Sequence, residues 1–272
     1  MTNSHSKSFL AAMTLCLCLF ETAHGQSPIS TNVVEVPAGI RDRIAEILPK
    51  AEPANALRRI RGVVESGDAK PVAERYFERL DNGLWGTTLV ITVRGAIIRR
   101  ALTLQGMIPL ATVTEIAREF DASSVVPLGK NFFSYSVTRD LKANGSTNIT
   151  ALSGELAQLV APASGTKFSF EHAWEAQSVV TTSGLFGGTR VSNVSLGLKQ
   201  ACAVENERDA STLHANFRGK FLPVSCEGKL SNGSTRIDQY AFVVDGGMYI
   251  LLSTTTDGRL EKYTISDVEY VK

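Results

Sequence analysis

Beyond residue 25 the sequence holds two histidines, His172 and His214, and two cysteines, Cys202 and Cys226. Imidazole titrates near neutrality, so either histidine could serve as the general base of a hydrolase. A serine hydrolase also needs its nucleophile on a defined turn. The Gly-x-Ser-x-Gly pattern of that turn is absent. Asn193-Val194-Ser195-Leu196-Gly197 carries the serine and the second glycine but lacks the first. His172 lies between Phe170 and Trp174 on an apolar face, which predicts a hydrogen-bonded core histidine. His214 is flanked by Leu213 and Ala215 in a stretch without a clear period. A secreted hydrolase using His172 or His214 is therefore the alternative reading, and no catalytic residue is assigned.

Metal and nucleotide motifs are missing as well. There is no His-Glu-x-x-His, no Cys-x-x-Cys after the leader, and no phosphate-binding glycine loop. The sequence assigns no cofactor and no metal ligand. Glu205 and Glu207 share one parity, but with Asn206 and Asp209 beside them they mark a solvated turn. Cys202 and Cys226 are predicted to pair. They fall on strand-like runs, Gln200 to Val204 and Phe221 to Cys226, and neighbouring antiparallel strands hold Cα atoms at a suitable separation.

The elements that must position these residues are mostly strands. Ile237 to Val244, Met248 to Leu252 and Leu260 to Val271 are rich in Val, Ile, Phe and Tyr. Asp245-Gly246-Gly247 and Thr256-Asp257-Gly258-Arg259 supply the turns of a meander. Lys167 to Gln177 alternates, placing Phe168, Phe170, His172, Trp174 and Ala176 on one face. Phe168, Phe170 and Trp174 are the candidate apolar ligand face. Leu89 to Val93, Ile98 to Leu104 and Val191 to Val204 are further strands. Lys142 to Ser146 is expected as the turn of a hairpin between Phe132 to Leu141 and Ile149 to Val160. Ser183 to Gly188 is a second turn.

Helical spacing appears in four places. Ile40, Ile44, Ile47 and Leu48 predict a first helix. Ala56, Leu57, Ile60, Val63 and Val64 after Pro53 predict a second, and Val72, Tyr76, Phe77 and Leu80 after Pro71 a third. Val113, Ile116, Ala117 and Phe120 predict a fourth within Pro109 to Phe120. Arg58, Arg59 and Arg61 form a basic cluster on the second, a candidate docking patch for an envelope partner.

The expected fold class is α+β, mainly β, with a short N-terminal helical segment followed by an antiparallel β-rich region ending in the meander. The domain organisation expected is a signal peptide at 1–25, an arm and helical segment at 26–83, a β-rich part at 84–160, and a disulfide-bearing β-rich part at 166–272. Ala161 to Gly165 is the candidate linker.

The leader follows from a weakly basic start at Lys7, an apolar run from Phe9 to Phe20 and small residues Ala23 and Gly25 before the cleavage point. That run is too short to span a bilayer, and no transmembrane helix is expected. The protein is expected to be secreted or periplasmic. With a net charge of +1 and 43% hydrophobic residues, the 272-residue chain can bury a core and has no bulk electrostatic claim on nucleic acid. The function expected is that of an exported non-catalytic β-rich protein. Its expected partners are an apolar small molecule or an envelope protein.

Overall fold

The computed structural model describes residues 36–48, 57–66, 73–80, 84–92, 95–128, 131–182 and 188–270, with backbone alone for residues 66, 92, 95, 96, 116–128 and 131–141. The leader, Cys16 and Cys18, the arm up to residue 35 and most of the Ser183 to Gly188 turn lie outside the described residues.

One antiparallel sheet organises the chain. Its strands are β1 (Leu57–Ser66), β2 (Ala73–Arg79), β3 (Trp85–Thr92), β4 (Gly95–Leu104), β5 (Ile108–Leu128), β6 (Asn131–Gly154), β7 (Lys167–Thr182), β8 (Gly188–Val204), β9 (Arg208–Asp209), β10 (Lys220–Leu230), β11 (Thr235–Val243), β12 (Met248–Thr256) and β13 (Arg259–Tyr270). Neighbours in sequence pair in turn, except that β10 crosses past the two-residue β9 to pair with β8. β13 then pairs with β1, from Leu57 opposite Tyr270 to Ser66 opposite Glu261. That last ladder closes twelve strands into a barrel. Closure removes the free edges that an open sheet would leave.

The meander is present as expected. β11, β12 and β13 follow one another through turns at Asp245-Gly246-Gly247 and Asp257-Gly258. Asp257 and Gly258 both adopt positive φ, 49° and 83°, the pair that a tight hairpin turn requires. The first expected helix is also present, as α1 (Ala38–Ile47). The second and third are not helices but β1 and β2, and the fourth lies within β5. The expected turn at Lys142 to Ser146 is likewise corrected. β6 runs straight through it, with Asn144 opposite Glu115 on one side and Val179 on the other.

The barrel is stoppered at one end. α1 and the short α2 (Leu156–Val160) contribute Ile44, Leu156, Leu159 and Val160 to a core with Leu104, Ile108, Ile149, Phe168, Phe170, Val224 and Phe242. Polar side chains there bond to backbone carbonyls of the stopper. Tyr249 donates its hydroxyl to the Leu159 carbonyl at 2.7 Å, and Gln105 donates Nε2 to the Val160 carbonyl at 2.9 Å. Arg43 on α1 reaches the Leu152 carbonyl at 3.0 Å. These bonds tie the stopper to the wall.

At this end β12 leaves β13, with which it pairs only from Ser253 to Thr256. The Tyr249 amide bonds instead to the Gln105 carbonyl in the β4–β5 turn, at 2.7 Å. Both faces of the β11–β12 pair are consequently buried. Tyr240, Phe242 and Tyr249 enter the stoppered core, while Ala241, Val243, Met248 and Ile250 enter a second core with Ile60, Phe77, Trp85 and Val268. This is why Met248 to Leu252 is almost uniformly apolar.

The outward face is charged. Arg59 pairs with Glu78 at 3.1 Å, Arg61 with Glu74 at 2.8 Å and Arg100 with Glu115 at 3.4 Å, each across neighbouring strands. No helix among the described residues is long and apolar enough to cross a membrane.

Candidate functional site

Away from the stopper the inner wall changes character. On β7 and β8 the inward parity passes from fully buried Phe168 and Phe170 to His172, then to half-buried Trp174, Ala176, Val194 and Leu196. Ser178, Val180, Thr182, Gly188, Arg190 and Ser192 follow, lining a cavity of about 320 Å³ at the far end of these strands. On the opposite wall β2, β3 and β4 place Arg75, Leu89 and Arg99 in one register row. The meander adds Arg236, Asp238, Thr254, Glu261 and Tyr263.

Arg99 shows that this space is hollow. Its side chain lies on the inner parity, enclosed by the wall, and that enclosure lowers its pKa, as does the neighbouring charge of Arg75. Yet the residue is solvent-exposed. A side chain that is both surrounded by protein and open to water occupies an internal cavity wide enough for solvent.

The best-satisfied group in the hollow is Asp238, wholly buried. Arg236 donates Nε to both of its carboxylate oxygens at 2.8 Å, Gln200 donates Nε2 at 2.9 Å, and the Tyr240 hydroxyl lies 3.3 Å away. Burial lowers the Arg236 pKa, but Tyr240 and Asp238 raise it more, so the guanidinium stays charged. Burial and the Asp238 carboxylate both push the Tyr240 hydroxyl up, so it remains protonated. This is an internally neutral ion pair with every strong partner in place.

His172 sits against this network. It stacks between Phe170 and Trp174, with ring centroids 5.9 and 5.0 Å away. Burial first, and the Arg236 charge second, lower its pKa to about 4, so it is neutral at physiological pH. Its Nδ1 is buried without a hydrogen-bond partner. His214 lies far along the chain in the loop before β10, where its Nδ1 accepts the Asn216 amide at 3.2 Å. Among the described residues neither histidine is hydrogen-bonded to a serine, aspartate or glutamate, and no group of three potential metal ligands is assembled.

The other residues singled out in the sequence are dispersed. Phe168 and Phe170 are 2% and 1% exposed, within the stoppered core, and only Trp174 of that face borders the hollow. Arg58, Arg59 and Arg61 lie on β1, not on a helix. Arg59 is shared between Glu78 and Glu269 and Arg61 is held by Glu74, so carboxylates outnumber these two charges locally. Cys202 and Cys226 face each other directly across β8 and β10 and are joined by a disulfide, both buried.

Sequence reasoning missed Arg75, Arg99 and Glu261. The available signal was a charged residue at the inward parity of an otherwise apolar strand, as in Ala73-Glu74-Arg75-Tyr76-Phe77. No protein-family model, curated protein or solved structure matches this chain.

Proposed function

We propose that the protein is exported by its N-terminal leader and acts outside the cytoplasm as a non-catalytic barrel that holds a small molecule in its hollow. The single observation that carries this reading is the change along the inner wall. One end is a dry, stoppered core, and beyond it, beside the second core, lies a solvent-reached space bordered by Trp174, Val194, Leu196, Arg75 and Arg99. A barrel whose only task was mechanical would gain stability by filling that space with apolar side chains. Ligand sites are concave, mostly apolar, and carry a few convergent polar groups. Export is supported by the leader pattern of residues 1–25 and by the buried Cys202–Cys226 disulfide, a bond that persists in oxidising compartments.

The test is native mass spectrometry of protein purified from the exported fraction of its own host. The expected spectrum shows a chain beginning after Gly25, carrying a small molecule that dissociates on denaturation. Full-length chain retained in the cytoplasm, always at its bare mass, would contradict both halves of the proposal.

A further inference from the structure

Among the described residues, the part of the hollow around Arg75 and Arg99 holds more positive charge than its carboxylates neutralise. Arg75, Arg99 and Arg236 are set against Asp238 and Glu261, and Asp238 is already taken up by Arg236. Glu261 is close enough to influence all three arginines but makes no ion pair with any of them. Among the described residues no carboxylate contacts Arg75 or Arg99, unlike Arg59, Arg61 and Arg100 on the outer face of β1 and β4.

What these two guanidinium groups do contact is weak. Arg75 lies over the Tyr263 ring at 5.9 Å, and its Nε is buried with no hydrogen-bond partner. Arg99 reaches Thr114 Oγ1 at 3.4 Å, a long bond for a charged donor. The two stand in one register row with only Leu89 between them. Two like charges held side by side with an unsatisfied donor cost free energy that an anion would recover. Nearby, Thr87 and Thr254 also keep buried hydroxyls without partners.

We infer that the hollow binds an amphipathic oxyanion, a carboxylate or phosphate monoester on an apolar body, with its head between Arg75 and Arg99 and its body against the inner face of β7 and β8. This rests on the reading of the barrel as a small-molecule carrier and adds the ligand's chemical class. Planar guanidinium forks match carboxylate and phosphate oxygens. The half-buried apolar residues Trp174, Val194 and Leu196 offer the body an accessible apolar surface.

Isothermal titration of the full exported chain with decanoate, decyl phosphate and decanol, each below its aggregation threshold, tests this. Both anions are expected to bind, decanoate at least about tenfold tighter than decanol, the size of effect one charge-assisted hydrogen bond supplies. Arg99→Gln should remove that preference while leaving decanol affinity unchanged, and Arg99→Lys should keep part of it. Arg99 is open to solvent, so these variants preserve the fold, which circular dichroism verifies. Decanol binding as tightly as decanoate, or an anion preference unaltered in Arg99→Gln, would overturn the anion site and leave the carrier reading standing. Binding of none of the three would overturn both.

Discussion

Tyr263 lies across the face of Gly62, its ring occupying the space where a side chain at position 62 would stand. The two residues are on the paired strands β13 and β1 that close the barrel, two residues apart in register, with Tyr263 opposite Val64 and Gly62 opposite Ile265. The same ring packs edge-on to Phe77 at 5.9 Å and carries Arg75 on its other side. Closure of the barrel and placement of the Arg75 guanidinium therefore share one glycine.

Substituting Gly62→Ala would drive Cβ into the Tyr263 ring and the Thr264 carbonyl. Backbone cannot yield as a flexible side chain can. The expected cost is about 1–3 kcal/mol of unfolding free energy, as for other overpacked core sites. Urea denaturation measures it, and the Tyr263→Ala, Gly62→Ala double variant should recover part of the loss from its own Tyr263→Ala background.

His172 makes stability depend on pH. Its folded pKa of about 4 lies below the 6.5 of a free imidazole. Between those values the unfolded chain takes up a proton that the folded chain refuses. Stability is therefore unaffected by this group above pH 6.5 and falls progressively as pH drops toward 4. The full loss is about 3 kcal/mol from a shift of this size. His172→Gln should show a shallower decline than the parent in urea melts across that window, and identical slopes would count against the assignment.

The strands that sequence reasoning took for helices are those whose inner face lines the hollow. β1 presents Ile60, Gly62 and Val64 inward, and the glycine demanded by Tyr263 interrupts the apolar alternation. β2 presents Ala73, Arg75 and Phe77, with a charge in the middle of the row. The inward Thr112 and Thr114 of β5 are polar, so its apolar residues fall by accident at helical spacing. Asn144-Gly145 resembles a turn but is held straight by ladders on both sides. By contrast the meander has a long buried apolar stretch, Tyr240 to Val243 and Met248 to Ile250, and two Asp-Gly or Gly-Gly turns, and its pattern is legible. The disulfide was legible too, because both cysteines lie in ordinary half-buried strands. Pairing of β1 with β13 joins opposite ends of the chain, and no local pattern encodes it.

The buried ion pair at Arg236 is structural, and breaking it on one side leaves a charge without its partner. Asp238→Ala is expected to destabilise by about 3–5 kcal/mol. Arg236→Met combined with Asp238→Leu should cost less than Asp238→Ala alone, since no buried charge is then orphaned. Chemical denaturation of the two variants checks the order, and a reversed order would show that Asp238 is not stabilised through Arg236.

Removing the disulfide with Cys202→Ala and Cys226→Ala should cost about 3 kcal/mol, the loop-closure entropy of a bridge this far apart in the chain. The separation is 24 residues. Thermal denaturation reads the effect, and an unchanged midpoint would mean that the β8–β10 ladder alone constrains this region.

The most direct test of the account is whether Arg99 lies inside a water-filled barrel. With Cys202 and Cys226 joined to each other, and in a chain lacking residues 1–25 with Cys16 and Cys18, Arg99→Cys introduces a single free thiol, and Arg100→Cys places one on the outer wall. A small charged methanethiosulfonate is expected to modify both thiols in the native protein. A polymer-linked maleimide should modify only the thiol at position 100 until urea is added. Reaction of the position-99 thiol with both reagents would place it on the outside of the barrel. Its reaction with neither would mean that the interior is solid, and either result would contradict the proposed hollow.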